Sequence, residues 1–239
     1  MVGDQFDRRW LILGGFAVLA VVIVAIILIS RSGGSSDNSG SSTTASKEEG
    51  AKGASAKGCR KVAQPKPREE SLPKPKMTTK KGEKVTAVVE TNCGTFDIAL
   101  ATTEAPTIAN SFAYLAEEGF YDELTFHRIV PEFVIQGGDP TATGSGGPGY
   151  EVVEAPPKNL KYTVGTVAMA KSGEAPSGAS GSQFYVVSGP QGETLPAEYA
   201  LVGHVSSGLD VVKRIGKLGN AEEKPTQVVE IEKMTIERG

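Results

Sequence analysis

The sequence predicts a mainly β domain, either a closed barrel or a sandwich, with two helices. From about Lys84 onward, short runs rich in β-branched and aromatic residues alternate with Gly, Pro and Ser turns, as in all-β domains. Only two segments show a helical spacing of apolar residues. The residues before Lys84 comprise a long apolar run and a low-complexity stretch, so we expect one domain preceded by further segments.

Residues 11–30 form an apolar run without a charged residue. About 20 helical residues rise roughly 30 Å, the thickness of the hydrocarbon core of a bilayer. The alternative, a cleaved signal peptide, would have about 7–15 apolar residues followed by small ones. We therefore expect one transmembrane helix, an uncleaved signal anchor in the lipid bilayer of the cell membrane. Because Arg8 and Arg9 flank its N-terminal side, residues 1–10 are predicted to be cytoplasmic and the domain extracytoplasmic.

Residues 31–83 are predicted to form a disordered linker. Residues 32–58 contain no aromatic residue and no Ile, Leu or Val, so they cannot bury enough apolar surface to offset the loss of chain entropy. Further on, Pro and Lys alternate, which favours an extended chain. Residues 31–84 carry 13 Lys or Arg against 6 Asp or Glu. Contact with an anionic surface is an alternative, but charges dispersed among Pro, Gly and Ser favour a solvated linker.

Residues 84–239 form the predicted domain, and their composition excludes several functions. Residues 85–239 carry 10 Lys or Arg against 20 Asp or Glu, which argues against nucleic-acid binding because phosphate contacts supply most of that affinity. His127 and His204 lie 77 positions apart, and no Cys/His spacing resembles a zinc site. Neither a phosphate-binding loop nor a G-x-S-x-G nucleophile elbow occurs. No metal and no cofactor are predicted.

The domain begins with a predicted β-hairpin, because residues alternate on both sides of positions 92–94. A helix is predicted from Pro106 to Gly119, where apolar residues recur at helical spacing. A second, shorter helix is predicted over 208–215. The strand-like runs that remain are 124–130, 133–138, 166–170, 183–189, 199–205 and 228–238.

Residues 126–139 read FHRIVPEFVIQGGD and place an Arg and a Gln inside strand-like runs. Strand alternation predicts Phe126 and Arg128 on one face and His127 and Ile129 on the other. A half-buried Arg needs a partner for its five donors, because it does not deprotonate. One interpretation is a structural ion pair with a carboxylate of the domain.

The same motif resembles the signature of the cyclophilin family of peptidyl-prolyl cis-trans isomerases. Three further segments match in order: TVAMA from Thr166, GSQFYVV from Gly181 and YALVGHV from Tyr199. The resemblance covers about residues 85–238, and the preceding anchor suggests a membrane-anchored bacterial form. It implies an eight-stranded antiparallel closed barrel capped by two helices, with the active groove on one outer face.

The resemblance also implies site residues. Arg128 and Gln136 are the expected catalytic residues, with Gln136 fixing the Arg128 guanidinium without neutralising it. Gln136, Ala170 and Gln183 are expected to hold the peptide backbone, and the expected proline pocket consists of Phe133, Val134, Tyr185, Leu195 and Tyr199. Two positions differ from the family, because its indole position falls on Thr194 and its pocket histidine on Tyr199. These differences argue against inhibition of the cyclosporin type.

The implied activity is rotation about X–Pro bonds of polypeptides, assisting the folding of exported or envelope proteins. Such a reaction requires no cofactor, because the barrier is rotational. A second hypothesis is a catalytically weak module that only binds Pro-containing segments of a partner. A third is an unrelated β-barrel ligand carrier, which a tyrosine-rich pocket would suit.

Cys59 and Cys93 are the only cysteines. Outside the reducing cytoplasm they are the only possible intramolecular pair, and a disulfide would tie the end of the linker to the first hairpin. Two unrelated thiols, with Cys93 packed in a turn, are the alternative.

Overall fold

The computed structural model describes residues 58–239. The predicted cytoplasmic segment 1–10, the predicted transmembrane segment 11–30 and the first part of the predicted linker lie outside the described residues. Within residues 58–239, no helix is long and apolar enough to cross a membrane. The described residues are mainly β with two helices, which confirms the predicted fold class.

Nine strands form one antiparallel sheet, in the order β3-β11-β1-β2-β10-β7-β9-β5-β4, and two short strands, β6 and β8, form another. The strands are β1 (Val85–Thr91), β2 (Gly94–Leu100), β3 (Leu124–Thr125), β4 (Arg128–Val130), β5 (Val134–Gly137), β6 (Val152–Val153), β7 (Thr166–Met169), β8 (Ala179–Ser180), β9 (Phe184–Val187), β10 (Leu201–Ser207) and β11 (Glu230–Arg238).

The large sheet curls because its two edge strands are neighbours in sequence. Strands β3 and β4 lie at opposite edges, yet Thr125 and Arg128 are only three peptide units apart, at most about 11 Å. Strand β3 pairs with β11 and β4 pairs with β5, and within residues 58–239 no ladder joins β3 to β4. The expected eight-stranded closed barrel is therefore corrected to a curled nine-stranded sheet whose edges the chain itself connects.

Because β3 and β4 are separate strands, the prediction of which faces residues 126–129 occupy is also corrected. Phe126 and Ile129 are both fully buried in the main core, whereas Arg128 is only half-buried. Strand alternation does not apply across residues 126 and 127, because the chain changes direction there to cross between the sheet edges.

The two helices are α1 (Pro106–Glu117) and α2 (Leu209–Gly216), and a 3-10 helix covers Pro190–Thr194. Proline at the start of α1 costs nothing, because the first N–H groups of a helix have no partner within it. Phe112 of α1 packs edge-on against Phe184 of β9, with ring centroids 5.3 Å apart. This contact fixes the helix on the core side of the strand that carries Tyr185 on its other face.

Residues 58–83, which we call the strap, pack against the domain although they contain no helix or strand. The Arg68 guanidinium donates to the backbone carbonyls of Phe120 at 2.7 Å and Asp122 at 2.9 Å. At the other end, Asn110 Oδ1 accepts hydrogen bonds from the backbone N–H groups of Thr78 and Thr79. This part of the predicted linker therefore belongs to the folded unit, held by these polar contacts and by Cys59 and Leu72, which pack against the main core.

The structure joins Cys59 of the strap to Cys93 in the turn between β1 and β2 by a disulfide that spans 34 positions. Beside it, the N–H of Arg60 donates to the carbonyl of Asn92 at 2.7 Å. The strap is thus attached at its beginning by a covalent bond and a backbone hydrogen bond.

Candidate active site

Three neighbouring strands, β7, β9 and β5, carry an apolar surface on the face of the sheet opposite the main core. Because alternate strand residues point to opposite faces, Phe184 and Val186 enter the main core while Tyr185 and Val187 belong to a separate apolar cluster. We call that cluster the floor. It includes six predicted site residues: Phe133, Val134, Ala170, Tyr185, Leu195 and Tyr199. Thr194, where the family's indole position falls, is solvent-exposed.

The predicted catalytic residue lies at one end of a cross-strand row. Arg128 of β4 is the direct partner of Gln136 of β5, Gln136 is the partner of Tyr185 of β9, and Tyr185 is the partner of Ala168 of β7. Cross-strand partners have Cβ atoms about 4.5–5.5 Å apart. The row therefore places a guanidinium at the margin of the floor.

A chain of side-chain hydrogen bonds runs along the same margin. Arg128 Nη1 donates to Gln136 Oε1 at 3.2 Å, and Gln136 Nε2 donates to Gln183 Oε1 at 3.1 Å. Gln183 Nε2 donates to the Gly146 carbonyl at 3.0 Å, and the N–H of Ala170 donates to the Gln183 carbonyl at 2.8 Å. All four residues predicted to hold the peptide or act on it are brought together.

The loop that receives Gln183 is organised by Asp139. Its carboxylate accepts hydrogen bonds from the N–H groups of Thr141 at 2.8 Å and Gly144 at 2.5 Å. Burial by itself would raise the pKa of Asp139, but the hydrogen bonds from Thr141, Gly146 and Gly144 outweigh it and the pKa is lowered. The ionised carboxylate fixes the loop and with it the Gly146 carbonyl.

Tyr162 is a member of the floor that no sequence motif predicts. Its hydroxyl donates to the Tyr199 carbonyl at 2.7 Å and accepts the Tyr199 N–H at 3.1 Å. The Tyr199 ring meets Tyr185 nearly at right angles, with centroids 5.6 Å apart. Burial raises the pKa of Tyr162 to about 12 and raises the pKa of Tyr185 as well, so both phenols are neutral near pH 7. Tyr162 lies outside every matched motif, so the sequence held no signal for it.

A cavity of about 870 Å³ lies next to the site and shares three of its residues, Gln136, Ala170 and Gln183. Glu70 of the strap also lines it, and Arg68 Nε donates to the Glu70 carboxylate at 2.9 Å. The strap, which belongs to the predicted linker, therefore contributes a residue to the cavity beside the site. Within residues 58–239, no group of three or more His, Cys, Asp or Glu could hold a metal ion.

Comparison with known proteins decides the family. The profile of the family described as "Cyclophilin type peptidyl-prolyl cis-trans isomerase/CLD" matches residues 86–236. The chain belongs to this family. The cyclophilin domain thus spans nearly all of the predicted domain, and the activity predicted from the sequence, peptidyl-prolyl cis-trans isomerisation, is confirmed.

Curated relatives and a solved structure agree with this assignment. The chain is 38% identical over 155 residues to "Peptidyl-prolyl cis-trans isomerase-like 1" of Neurospora crassa, covering 63% of this chain and 93% of that protein. It is 37% identical over 134 residues to "Peptidyl-prolyl cis-trans isomerase CYP18-2" of Arabidopsis thaliana, covering 54% and 79%. The crystal structure of a Cryptosporidium parvum cyclophilin in the presence of the dipeptide Ala-Pro matches with a TM-score of 0.59 and 28% identity, covering 64% of this chain and 99% of that one.

These relatives come from a fungus, a plant and a protozoan, and none of their names refers to a membrane. The expectation of a membrane-anchored bacterial form is therefore not supported by the comparisons. They support the cyclophilin domain alone.

Proposed function

We propose that Arg128 stabilises the twisted X–Pro bond while the floor holds the proline ring. The barrier to rotation is about 18–20 kcal/mol and arises from the double-bond character of the amide. When the bond twists, the nitrogen lone pair localises and can accept a hydrogen bond that the planar amide cannot. A donor fixed beside that nitrogen binds the transition state more tightly than the ground state, which is what accelerates a reaction.

The observation that carries this proposal is the cross-strand row from Arg128 to Ala168. It sets one cation beside an apolar surface, with Gln136 and Gln183 supplying amide groups for the peptide backbone. The related Cryptosporidium protein was crystallised in the presence of Ala-Pro, which supports an X–Pro segment as the ligand. No step of the reaction requires a covalent intermediate.

Exchange NMR on a short X–Pro peptide tests the proposal. We expect catalytic amounts of the protein to accelerate cis–trans exchange far above the uncatalysed rate, which has a time constant of tens to hundreds of seconds. The alternative, a module that only binds Pro-containing segments, would show saturable binding without faster exchange. That result would overturn the catalytic role of Arg128 and favour the binding module.

We also propose that the isomerase acts outside the cytoplasm, tethered by residues 11–30, on exported or envelope proteins. The uncharged run and the flanking Arg8 and Arg9 support this, and the Cys59–Cys93 disulfide is of the kind that persists in oxidising compartments. Protease added to intact cells should digest the domain while a cytoplasmic marker protein survives. Complete protection of the domain, with digestion only after lysis, would place it in the cytoplasm.

A further inference from the structure

The loop that follows α2 brings a carboxylate to Arg128. Oε2 of Glu223 accepts a hydrogen bond from Nε of Arg128 at 2.6 Å. The two residues lie 95 positions apart, and no matched motif contains Glu223. Hydrogen bonds between two charged groups are shorter and stronger than those between neutral groups, and they fix the geometry of a guanidinium.

The backbone of Glu223 is in the left-handed region, with φ of 62°. This conformation costs energy for a residue that has a Cβ atom, and glycine adopts it freely. Surrounding hydrogen bonds maintain it: the N–H of Glu223 donates to the Asn220 carbonyl at 3.1 Å, and the N–H of Ile129 donates to the Glu223 carbonyl at 2.9 Å. The second of these bonds fixes the loop to β4, directly beside Arg128.

Stability does not account for a glutamate at this position. The side chains of Arg128 and Glu223 are 35% and 49% exposed, and ion pairs with such exposure contribute little to stability. The hydrogen bonds that hold Glu223 in the loop are made by its backbone, so glycine would keep them and remove the strain. Strained conformations of this kind concentrate at functional sites. The contribution of the Glu223 side chain is therefore its contact with Arg128.

We propose that Glu223 is a positioning residue that orients the Arg128 guanidinium for catalysis. Gln136 holds Nη1 and Glu223 holds Nε, so two sides of the planar group are fixed. Within residues 58–239, Nη2 has no hydrogen-bond partner and is free to donate to the substrate. The inference rests on the proposed catalytic role of Arg128. A donor displaced by about 1 Å can cost on the order of 100-fold in rate.

The experiment compares Glu223→Gly and Glu223→Gln with a matched control, Glu222→Gln, which removes the same charge from the adjacent exposed position. We expect Glu223→Gly to lower kcat by about 10- to 100-fold with little change in KM, as for an interaction that acts only in the transition state. Glu223→Gln should lose less, because its amide oxygen can still accept a hydrogen bond from Nε, as the Gln136 oxygen does from Nη1. Glu223→Gly should melt no lower than the wild type, because glycine removes the strain. The Glu222→Gln control should keep the wild-type kcat.

A double variant isolates the coupling. If Glu223 acts through Arg128, Glu223→Gly should cause no further loss of kcat in an Arg128→Ala background. Wild-type kcat in folded Glu223→Gly, a rise in KM alone, or an equal loss of kcat in the Glu222→Gln control would each overturn the proposal.

A second readout needs no turnover. The Nε–H resonance of Arg128 in ¹⁵N NMR spectra of the free protein should be protected from solvent exchange in the wild type and in Glu222→Gln, and should lose this protection in Glu223→Gly. An unchanged resonance would overturn the positioning role. If the wild type fails to accelerate exchange of the peptide, the proposed function fails, and the resonance still decides whether Glu223 orients Arg128.

Discussion

Arg128 and Gln136 face each other across β4 and β5, and the guanidinium Nη1 donates to the amide oxygen at 3.2 Å. An uncharged acceptor on this side orients the Arg without neutralising it. The sequence gives two interpretations of Arg128, a catalytic cation and a structural ion pair, and the structure contains contacts of both kinds. Glu223 supplies the carboxylate, and mutation can separate the effects of the two contacts.

Arg128→Ala should keep the domain folded and lower the isomerase rate by about 10²–10³-fold, the typical effect of losing one preorganised donor. Folding should survive because the Arg128–Glu223 pair is half exposed. Arg128→Lys should restore little, because an ammonium cannot reproduce the planar fork. Exchange NMR measures the isomerase rate of each variant, and a melting curve shows whether the variant is folded. Wild-type turnover in folded Arg128→Ala would contradict the catalytic role, and unfolding would favour the structural one.

Asn110→Ala should destabilise the domain by about 2–3 kcal/mol, because buried backbone groups lose their partners. Asn110 is 2% exposed, its Oδ1 accepts the N–H groups of Thr78 and Thr79, and its Nδ2 donates to the Lys76 carbonyl. Urea unfolding of the variant measures the change in the free energy of unfolding. The exposed Asn159→Ala change is the control and should have little effect. Equal stability of the two variants would mean that the strap is not held at this point.

Thiol counting tests the Cys59–Cys93 pair. Protein isolated from its own cells and denatured without reductant should show no free thiol. Reduction should lower the free energy of unfolding by up to about 3–4 kcal/mol, the chain-entropy value for a loop of this length. The Cys59→Ala/Cys93→Ala variant should match the reduced protein and should not respond to reductant. Two free thiols in the native protein would rule out the disulfide.

The stability of the domain should fall as the pH drops below about 6.5, partly because of His127. Burial is the main cause that lowers the pKa of His127 from its usual 6.5. The unfolded chain then binds a proton at a pH where the folded protein does not, so acid favours unfolding, and above pH 6.5 the effect vanishes. For one proton, the free energy of unfolding can change by at most about 1.4 kcal/mol per pH unit.

Urea unfolding of His127→Asn between pH 7 and pH 5 measures this contribution. Its slope should be smaller than that of the wild type, whereas His204→Asn, which changes an exposed histidine, should retain the wild-type slope. Identical slopes in all three proteins would exclude His127 as a source of the acid sensitivity.

The sequence predicts those helices and strands in which apolar residues recur at a regular spacing. The hairpin of β1 and β2 and both helices lie where alternation and helical spacing indicate, because apolar burial imposes that spacing. The sequence predicts one strand over 124–130, because nothing in its composition marks the crossing between the sheet edges at residues 126 and 127. Whether a sheet closes depends on how all of its strands pair, so a local sequence pattern does not predict it.

Some residues of the candidate site could likewise be predicted from the sequence, and others could not. Residues such as Arg128 and Gln136 stand in a contiguous motif and could be predicted. Tyr162 and Glu223 reach the site from loops, through a hydroxyl and a carboxylate whose partners are 37 and 95 positions away. The strap escaped prediction for a related reason, since Arg68 and Asn110 hold it through backbone carbonyls and N–H groups.

The disulfide also determines how the domain would respond to a mechanical pull. Tension on the chain before Cys59 passes through the covalent bond into the turn that holds Cys93, so the residues between the two cysteines bear none of it. The strap, with its short-range polar contacts, is shielded from force that would otherwise peel it from the surface one contact at a time. Reduction would remove this shield, and the same tension would then reach Arg68 and Asn110 before it reached β1.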